Sequence, residues 1–416
     1  MRVLYFMNHV DQGGAALALY DLIVELKKTY TDYYPIVITG KKNKLNEMFD
    51  EIGVENYYAD FKNFMSSYRE PFFVTRAALL IRYEIGKHKA IKQIEKKIDF
   101  KNIDIIHSNL NRIDIGSILA TKHGIAHLWH IREHAAIYSG ILRPHLVSEE
   151  SYTKSFDLIS VKGNPIKYMK DFDLISEKDN HFIAISESVK REWIKKGLPE
   201  NKIHLIYDGV RDELYKEAAE RKLASSHEPG NKIMMIFLGG YSKEKGQEEC
   251  INALLQLDSE EQTALHVDFY GNGDPEYTEY IRSIAEPLIN KNVVSINPYD
   301  PEISSRLSNY DVGINCSYAE GFGRVTVEYM MAGLCPLVSN TGASPEIVDD
   351  GKTGILYEKG NIDILCNKLR TLINDRKKIY ELSANALVKA NQFFSMRTHA
   401  SRMRDLYNNI SHQIEE

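Results

Sequence analysis

Two α/β domains in tandem, each a parallel β-sheet covered by helices, are the architecture this sequence predicts. Three observations predict it. The chain has 416 residues, more than one hydrophobic core usually organises. Short runs rich in Val and Ile alternate with longer amphipathic stretches, and strands buried on both faces read as continuous apolar runs. The alternation occurs twice, and the two series are separated by a polar stretch ending in Pro229-Gly230.

In the first half, strands are expected at 2–7, 35–39, 104–107, 126–131 and 182–185, with helices at 14–28 and 114–123. In the second half, strands are expected at 232–238, 266–270, 293–296, 312–315, 335–338 and 354–357, with helices at 247–257 and 323–332. The run 216–231 reads as a surface connection, and 397–410 reads as a last helix that follows the second sheet. The expected domains are 1–207 and 208–393, with a terminal segment 394–416 packing back on the first. Open parallel sheets take ligands beyond the carboxyl ends of their strands. Two such domains facing each other would make a deep cleft.

Composition narrows the class. Hydrophobic residues make up 43% and charged residues 26%, the balance of a soluble globular protein. The apolar start, MRVLYFM, has no signal-peptide cleavage pattern and reads as a strand. The expected location is therefore the cytosol. Net charge is −6, which argues against general nucleic-acid binding. Within 62–101, however, ten Lys/Arg face four Asp/Glu, so this segment carries +6 and the remainder −12. Such a segment suits a local anionic partner. Cys250, Cys316, Cys335 and Cys366 form no CxxC pair and show no metal-ligand spacing with histidine. They read as buried reduced thiols, and no metal is expected.

Three motifs carry possible chemistry. Gly13-Gly14-Ala15-Ala16 follows the first strand and opens a helix. Glycine lets backbone approach a ligand, and a helix N-terminus offers N–H groups to an anion. A plain strand-to-helix turn explains the pair equally well. Gly239 to Gly246 follows the first strand of the second domain and places Lys245 at a helix entrance. There it is either an ordinary surface lysine or a cation facing a diphosphate. The third motif is Glu320-Gly321-Phe322-Gly323-Arg324-Val325-Thr326-Val327-Glu328. Its glycines free the backbone to approach a bound group. A carboxylate accepts two hydroxyls at once, as a sugar or ribose diol requires. Exposed N–H groups beside it suit a phosphate. In the first half, His107-Ser108-Asn109 and His130-Ile131-Arg132-Glu133-His134 close two strands, where side chains line a cleft.

Together these residues resemble glycosyltransferase family 4, whose members have the GT-B fold. The resemblance covers nearly the whole chain. It includes the Gly13-Gly14-Ala15 turn, His107-Ser108-Asn109, Ala184-Ile185-Ser186-Glu187-Ser188 and Ile206-Tyr207-Asp208-Gly209-Val210. It continues through Ser242 to Gln247, the E-x7-E pair Glu320 and Glu328, Ser344-Pro345-Glu346-Ile347-Val348, and the closing Phe394-Ser395, His399 and Tyr407.

The resemblance implies a retaining transferase that moves a hexose from a UDP- or GDP-linked sugar to a hydroxyl acceptor without a metal in the site. Lys245 and Arg324 would face the donor phosphates, with Gly13 and Gly14 on the other side. Glu328 would hold the ribose, and Glu320 with the backbone of Gly321, Phe322 and Gly323 would hold the sugar and its phosphate. His130 and Glu320 would lie nearest the reacting carbon, with Asn109, Arg132 and Glu133 toward the acceptor. Two positions depart from the family pattern. Gly240 stands where many members carry arginine, and Asp208 stands where asparagine is usual.

Many relatives glycosylate lipid-linked or membrane-bound acceptors in surface-glycan synthesis. The basic, apolar stretch 64–97 is accordingly expected to touch the anionic inner face of the cell membrane, unless it is simply a helix packed on the first sheet. A nucleotide-sugar 2-epimerase of similar fold and a non-catalytic partner protein are the alternatives. The E-x7-E pair favours transfer over the first, and the missing arginine keeps the second in play.

Overall fold

The computed structural model describes residues 1–7, 14–61, 65–67, 73–110, 113–134, 138–140, 180–224 and 232–412. The fold divides into two compact units, Met1–Gly209 with His399–Glu416, and Val210–Thr398.

In the first unit the strands are β1 (Arg2–Met7), β2 (Tyr34–Thr39), β3 (Glu55–Tyr58), β4 (Met65–Ser67), β5 (Ile105–Ser108), β6 (Ala126–Ile131), β7 (Tyr138–Gly140), β8 (Asn180–Ala184) and β9 (Ile203–Leu205). Seven of them form one sheet in the order β3-β2-β1-β5-β6-β8-β9, and every neighbouring pair is parallel. β4 and β7 pair separately and antiparallel. In the second unit β10 (Ile233–Leu238), β11 (Leu265–Tyr270), β12 (Val294–Asn297), β13 (Val312–Asn315), β14 (Cys335–Ser339) and β15 (Ile355–Tyr357) form a six-stranded sheet in the order β12-β11-β10-β13-β14-β15. It too is wholly parallel.

Central strands follow their apolar runs closely. β1, β6 and β13 have the expected bounds, and the other expected strands shift by one or two residues. Their side chains supply the cores. Phe237 and Phe269, on neighbouring strands, stack with ring centroids 5.1 Å apart, and burying one such ring contributes about 1.5–3 kcal/mol. Four-residue β3 and three-residue β9 lie at sheet edges, and neither shows a continuous apolar run. One expectation needs correction. The polar run after residue 216 is not simply a connection, because Lys216–Ala224 is a helix. Ala218 and Ala219 are its buried face, and Lys222 Nζ lies 2.7 Å from Asp311 Oδ1. Polar residues dominate because only a narrow stripe is covered.

Each sheet has a point where the order reverses, between β1 and β5 and between β10 and β13. Connections leave in opposite directions there and open a crevice at the strands' carboxyl ends. The helix Met396–His412 contributes Tyr407 to the first unit. The Tyr407 hydroxyl meets that of Tyr5 at 3.0 Å and His107 Nδ1 at 2.7 Å. Tyr5 in turn meets the Tyr33 hydroxyl at 2.5 Å. All four cysteines are buried free thiols.

Candidate functional site

In the second unit, the reversal point brings together the two loops singled out in the sequence. The loop after β10 ends in a short 3-10 turn, Lys243–Lys245, capped by Gly246 in left-handed backbone (φ 76°). A Cβ at Gly246 would lie 2.2 Å from the carbonyl oxygen of Cys316, so only glycine lets this loop close on the end of β13. The Tyr318 amide also donates to Glu244 O at 2.9 Å. These contacts place the Lys245 ammonium 2.7 Å from Glu320 Oε1.

Glu320 is fixed through its backbone. Its carbonyl accepts the Ala343 amide at 3.0 Å. A Cβ at Gly342 (φ 55°) would stand 2.3 Å from the same carbonyl oxygen. Beyond it, Gly323 adopts φ 94° and starts the helix Arg324–Met331. The first N–H groups of a helix have no partner within it, so this end offers donors to an anion. The helix is keyed by Tyr329, whose ring fills the space a side chain at Gly313 would take. The Tyr329 hydroxyl accepts the Leu238 amide at 2.7 Å. With Val327, Tyr329, Met330 and Met331 facing the core, Glu328 is left half-buried. Phe322 is buried and packs edge-on to Phe394 with centroids 5.7 Å apart.

A second pair supports this floor. Lys359 and Glu249 form an ion pair with both side chains 8% exposed. Lys359 also donates to Cys316 O at 2.8 Å and lies 4.0 Å from the Tyr318 ring centroid, while the Gly360 amide donates to Glu249 Oε1 at 2.9 Å. Neither residue stood out in the sequence. The sequence carried no signal for them, because the burial that makes a lysine need a carboxylate exists only in the folded chain. Gly240 has a local reason. A Cβ there would sit 3.0 Å from the carbonyl of Asn272, which accepts the Tyr241 amide at 3.0 Å.

In the first unit, a buried polar cluster gathers at the ends of β5 and β6. Arg132 Nε donates to Asn109 Oδ1 at 3.1 Å, Nη1 pairs with Asp208 Oδ2, and Nη2 reaches His130 Nδ1 at 3.4 Å. Asn109 Nδ2 donates to Ala15 O at 2.9 Å. Burial first, then the Arg132 charge, holds His107 and His130 well below the ordinary imidazole pKa. His399 Nδ1 donates to Tyr207 O at 2.7 Å. Glu133 is half-buried beside this cluster, and its carbonyl accepts the Trp193 indole N–H at 2.9 Å. Gly14 is exposed at the start of its helix, whereas Gly13 lies outside the described residues. So do residues 141–179.

Family comparison decides what these features belong to. Residues 12–214 match the model described as Glycosyltransferase Family 4, and residues 219–408 match the model described as Glycosyl transferases group 1. This chain belongs to glycosyltransferase family 4. An uncharacterized glycosyltransferase of Methanocaldococcus jannaschii, MJ1178, is 26% identical over 336 residues, 80% of this chain and 82% of that one. The capsular polysaccharide biosynthesis glycosyltransferase CapM of Staphylococcus aureus is 27% identical over 242 residues, 56% of this chain but only 62% of CapM. Among solved structures, Anabaena Alr3699/HepE in complex with UDP superposes with a TM-score of 0.73 at 19% identity, covering 98% of this chain and 100% of that one. A glycosyltransferase from Rickettsia africae gives 0.67 at 19% identity and 98% coverage of both chains. These likenesses carry the fold, which is GT-B. As a family 4 glycosyltransferase, the chain has its E-x7-E pair at Glu320 and Glu328.

Chemically, the second unit brings the Lys245 ammonium onto the Glu320 carboxylate and carries Arg324 and Glu328 on the helix that starts after Gly323. Among the described residues, no group of three or more His, Cys, Asp or Glu is placed to hold a metal.

Proposed function

We propose that this glycosyltransferase is a retaining hexosyltransferase that moves a sugar from a UDP- or GDP-linked donor to a hydroxyl acceptor in surface-polysaccharide or glycoconjugate assembly. The observation that carries this reading is the 2.7 Å contact between Lys245 and Glu320 at the reversal point of the second sheet. A half-exposed ion pair of this kind is worth only about 0–1 kcal/mol. A diphosphate can therefore draw the ammonium away and leave the carboxylate for sugar hydroxyls. Glu328, less than one and a half turns along the helix from Gly323, takes the ribose diol. The helix N-terminus takes phosphate oxygens.

In this reading 208–393 is the donor domain and 1–207 the acceptor domain, with His130 at the sugar. No nucleophile-and-base pair is needed. The departing diphosphate accepts the acceptor's proton, and the protein supplies position and charge stabilisation. HepE, solved in complex with UDP-glucose, and CapM, named for capsular polysaccharide biosynthesis, support a nucleotide sugar and a glycan product. Incubation with a panel of nucleotide sugars and a hydroxyl acceptor tests the reading. Release of nucleoside diphosphate with an anomerically retained product is expected. Inversion of the product, or epimerised donor without release, would refute it.

We also propose that the helix Phe73–Glu95 meets an anionic membrane surface. Its inner face, with Tyr83, Ala90 and Ile94, is buried. Arg82, Ile85, Lys89 and Lys92 fall at helical spacing and are all exposed, and Lys96 is exposed in the turn just past the helix. One apolar side chain among four cations suits a lipid headgroup layer. Among the described residues, no helix is long and apolar enough to cross a membrane. Sedimentation with phosphatidylglycerol vesicles should occur at low salt and fall at high salt. Absence of binding at low salt would end the proposal.

A further inference from the structure

Lys359 stands just beyond β15, and its ammonium reaches other segments of the second unit. It pairs with Glu249 in the first turn of the helix Gln247–Leu255. It donates to Cys316 O, just past β13, at 2.8 Å. It also lies against Gly246, where a Cβ would come within 2.9 Å of Nζ. The Tyr318 ring closes over it with its centroid 4.0 Å away. Glu249 completes the tie, because its Oε1 accepts the Gly360 amide at 2.9 Å.

Net stability does not account for such a pair. Both side chains are buried, and the cost of taking two charges out of water nearly cancels their attraction. Apolar residues of similar volume in the same place are commonly neutral or better. An apolar pair cannot, however, bond a carbonyl at the end of one strand and a carboxylate on a helix at the same time. The ammonium therefore sets a distance. On one side of it is Gly246, next to Lys245. On the other is Cys316, on the segment that leads through Glu320 to the helix Arg324–Met331.

We infer that Lys359 and Glu249 are positioning residues for the donor diphosphate: they hold the Lys245 loop at a fixed spacing from the segment carrying Glu320 and the helix N-terminus, so that one diphosphate meets the Lys245 ammonium and the helix donors together. This deepens the donor-site reading above and rests on it. Both residues act through the backbone they hold. The two segments are ordered before the ligand arrives, so binding does not have to order them. The Tyr318 amide donates to Glu244 O at 2.9 Å and bridges the same two segments, so it reports whether they stay together.

Two variants of the full chain test this. Lys359→Met strips one charge and leaves Glu249 buried alone. Lys359→Met combined with Glu249→Gln removes both charges, and the glutamine oxygen can still accept the Gly360 amide. The unfolding midpoint of the double variant should stay within about 4 °C of wild type. Its dissociation constant for UDP or GDP, whichever the wild type binds, should nonetheless rise about tenfold, the equivalent of one charge-assisted hydrogen bond. The single variant should lose binding to the same degree and unfold earlier. Amide hydrogen exchange at Tyr318 should quicken about tenfold in the double variant, while Val267, whose amide donates to Val293 O at 2.9 Å in the core, keeps its wild-type rate.

A folded double variant with wild-type nucleotide affinity would overturn the inference. So would equal acceleration at Tyr318 and Val267, which marks general loosening. Failure of both variants to fold would mark a purely structural pair and would overturn it too. A wild type that binds neither nucleotide would refute the donor reading itself, and this role with it.

Discussion

Glu320 holds the ammonium of Lys245 at 2.7 Å, across 75 residues of sequence, at the point where the second sheet reverses its strand order. The carboxylate thus competes with any anion for the same cation. Glu320→Gln should bind free nucleoside diphosphate about 2–5-fold more tightly, since a half-exposed pair of this kind is worth about 0–1 kcal/mol. The same variant should transfer sugar on the order of 10²-fold more slowly, having lost charge at the reacting end. Calorimetric titration with UDP and GDP, paired with turnover, checks both signs. Weaker diphosphate binding would count against the competition.

Lys245→Ala and Glu328→Ala should each remove most activity while leaving the fold intact. Lys245 is 38% exposed at its side chain, and Glu328 is half-buried at a helix surface. Surface changes of this kind usually shift stability by under about 0.5 kcal/mol. Thermal unfolding beside the transfer assay separates the two effects. Full activity in either variant would remove that residue from the donor site.

Gly342→Ala strains the backbone at φ 55° and drives a methyl to 2.3 Å from the Glu320 carbonyl oxygen. A loss of about 1–3 kcal/mol is expected from the backbone strain, with a larger fall in activity because the displaced segment carries Glu320. Gly351→Ala is the control. It also has positive φ, at 73°, but its Cβ would meet nothing within 4 Å. Equal activity loss in both would show that strain alone is responsible. Denaturant unfolding and steady-state rates give the comparison.

Acid should unfold the first unit early. Burial pushes His127 from 6.5 down to about 3, and His107 and His130 are also held well below 6.5. Unfolded, all three bind protons near pH 6.5; folded, they resist. Stability is therefore fully present above that pH and falls as pH drops from 6.5 toward the folded values, by up to about 1.4 kcal/mol per unit for each histidine. His127→Gln should flatten part of this dependence in urea melts run from pH 7.5 to 4.5. An unchanged slope would mean the ring titrates normally.

The central strands were legible because burial on both faces leaves an apolar run no other element needs. β3 was not, since Glu55, Asn56, Tyr57 and Tyr58 lie half-buried or exposed on an edge. The helix Lys216–Ala224 was hidden for the same reason, its covered stripe being two alanines. Lys245, Glu320 and Glu328 could be named from motif order. Their contact could not, because it arises from strand order. The pairing of Arg132, just past β6, with Asp208, just past β9, is likewise invisible until the order β6-β8-β9 is known. Lys359 gave no sign of its place against Glu249 and Cys316.

The hydroxyl of Tyr5 bonds that of Tyr407, 402 positions later. A ribosome making this chain releases the opening strand long before its final partner has left the exit tunnel. The first sheet therefore waits for the last helix, while everything needed by the second is already outside. Removal of the helix from Leu406 onward would spare the unit Val210–Thr398 and cripple the one synthesised before it.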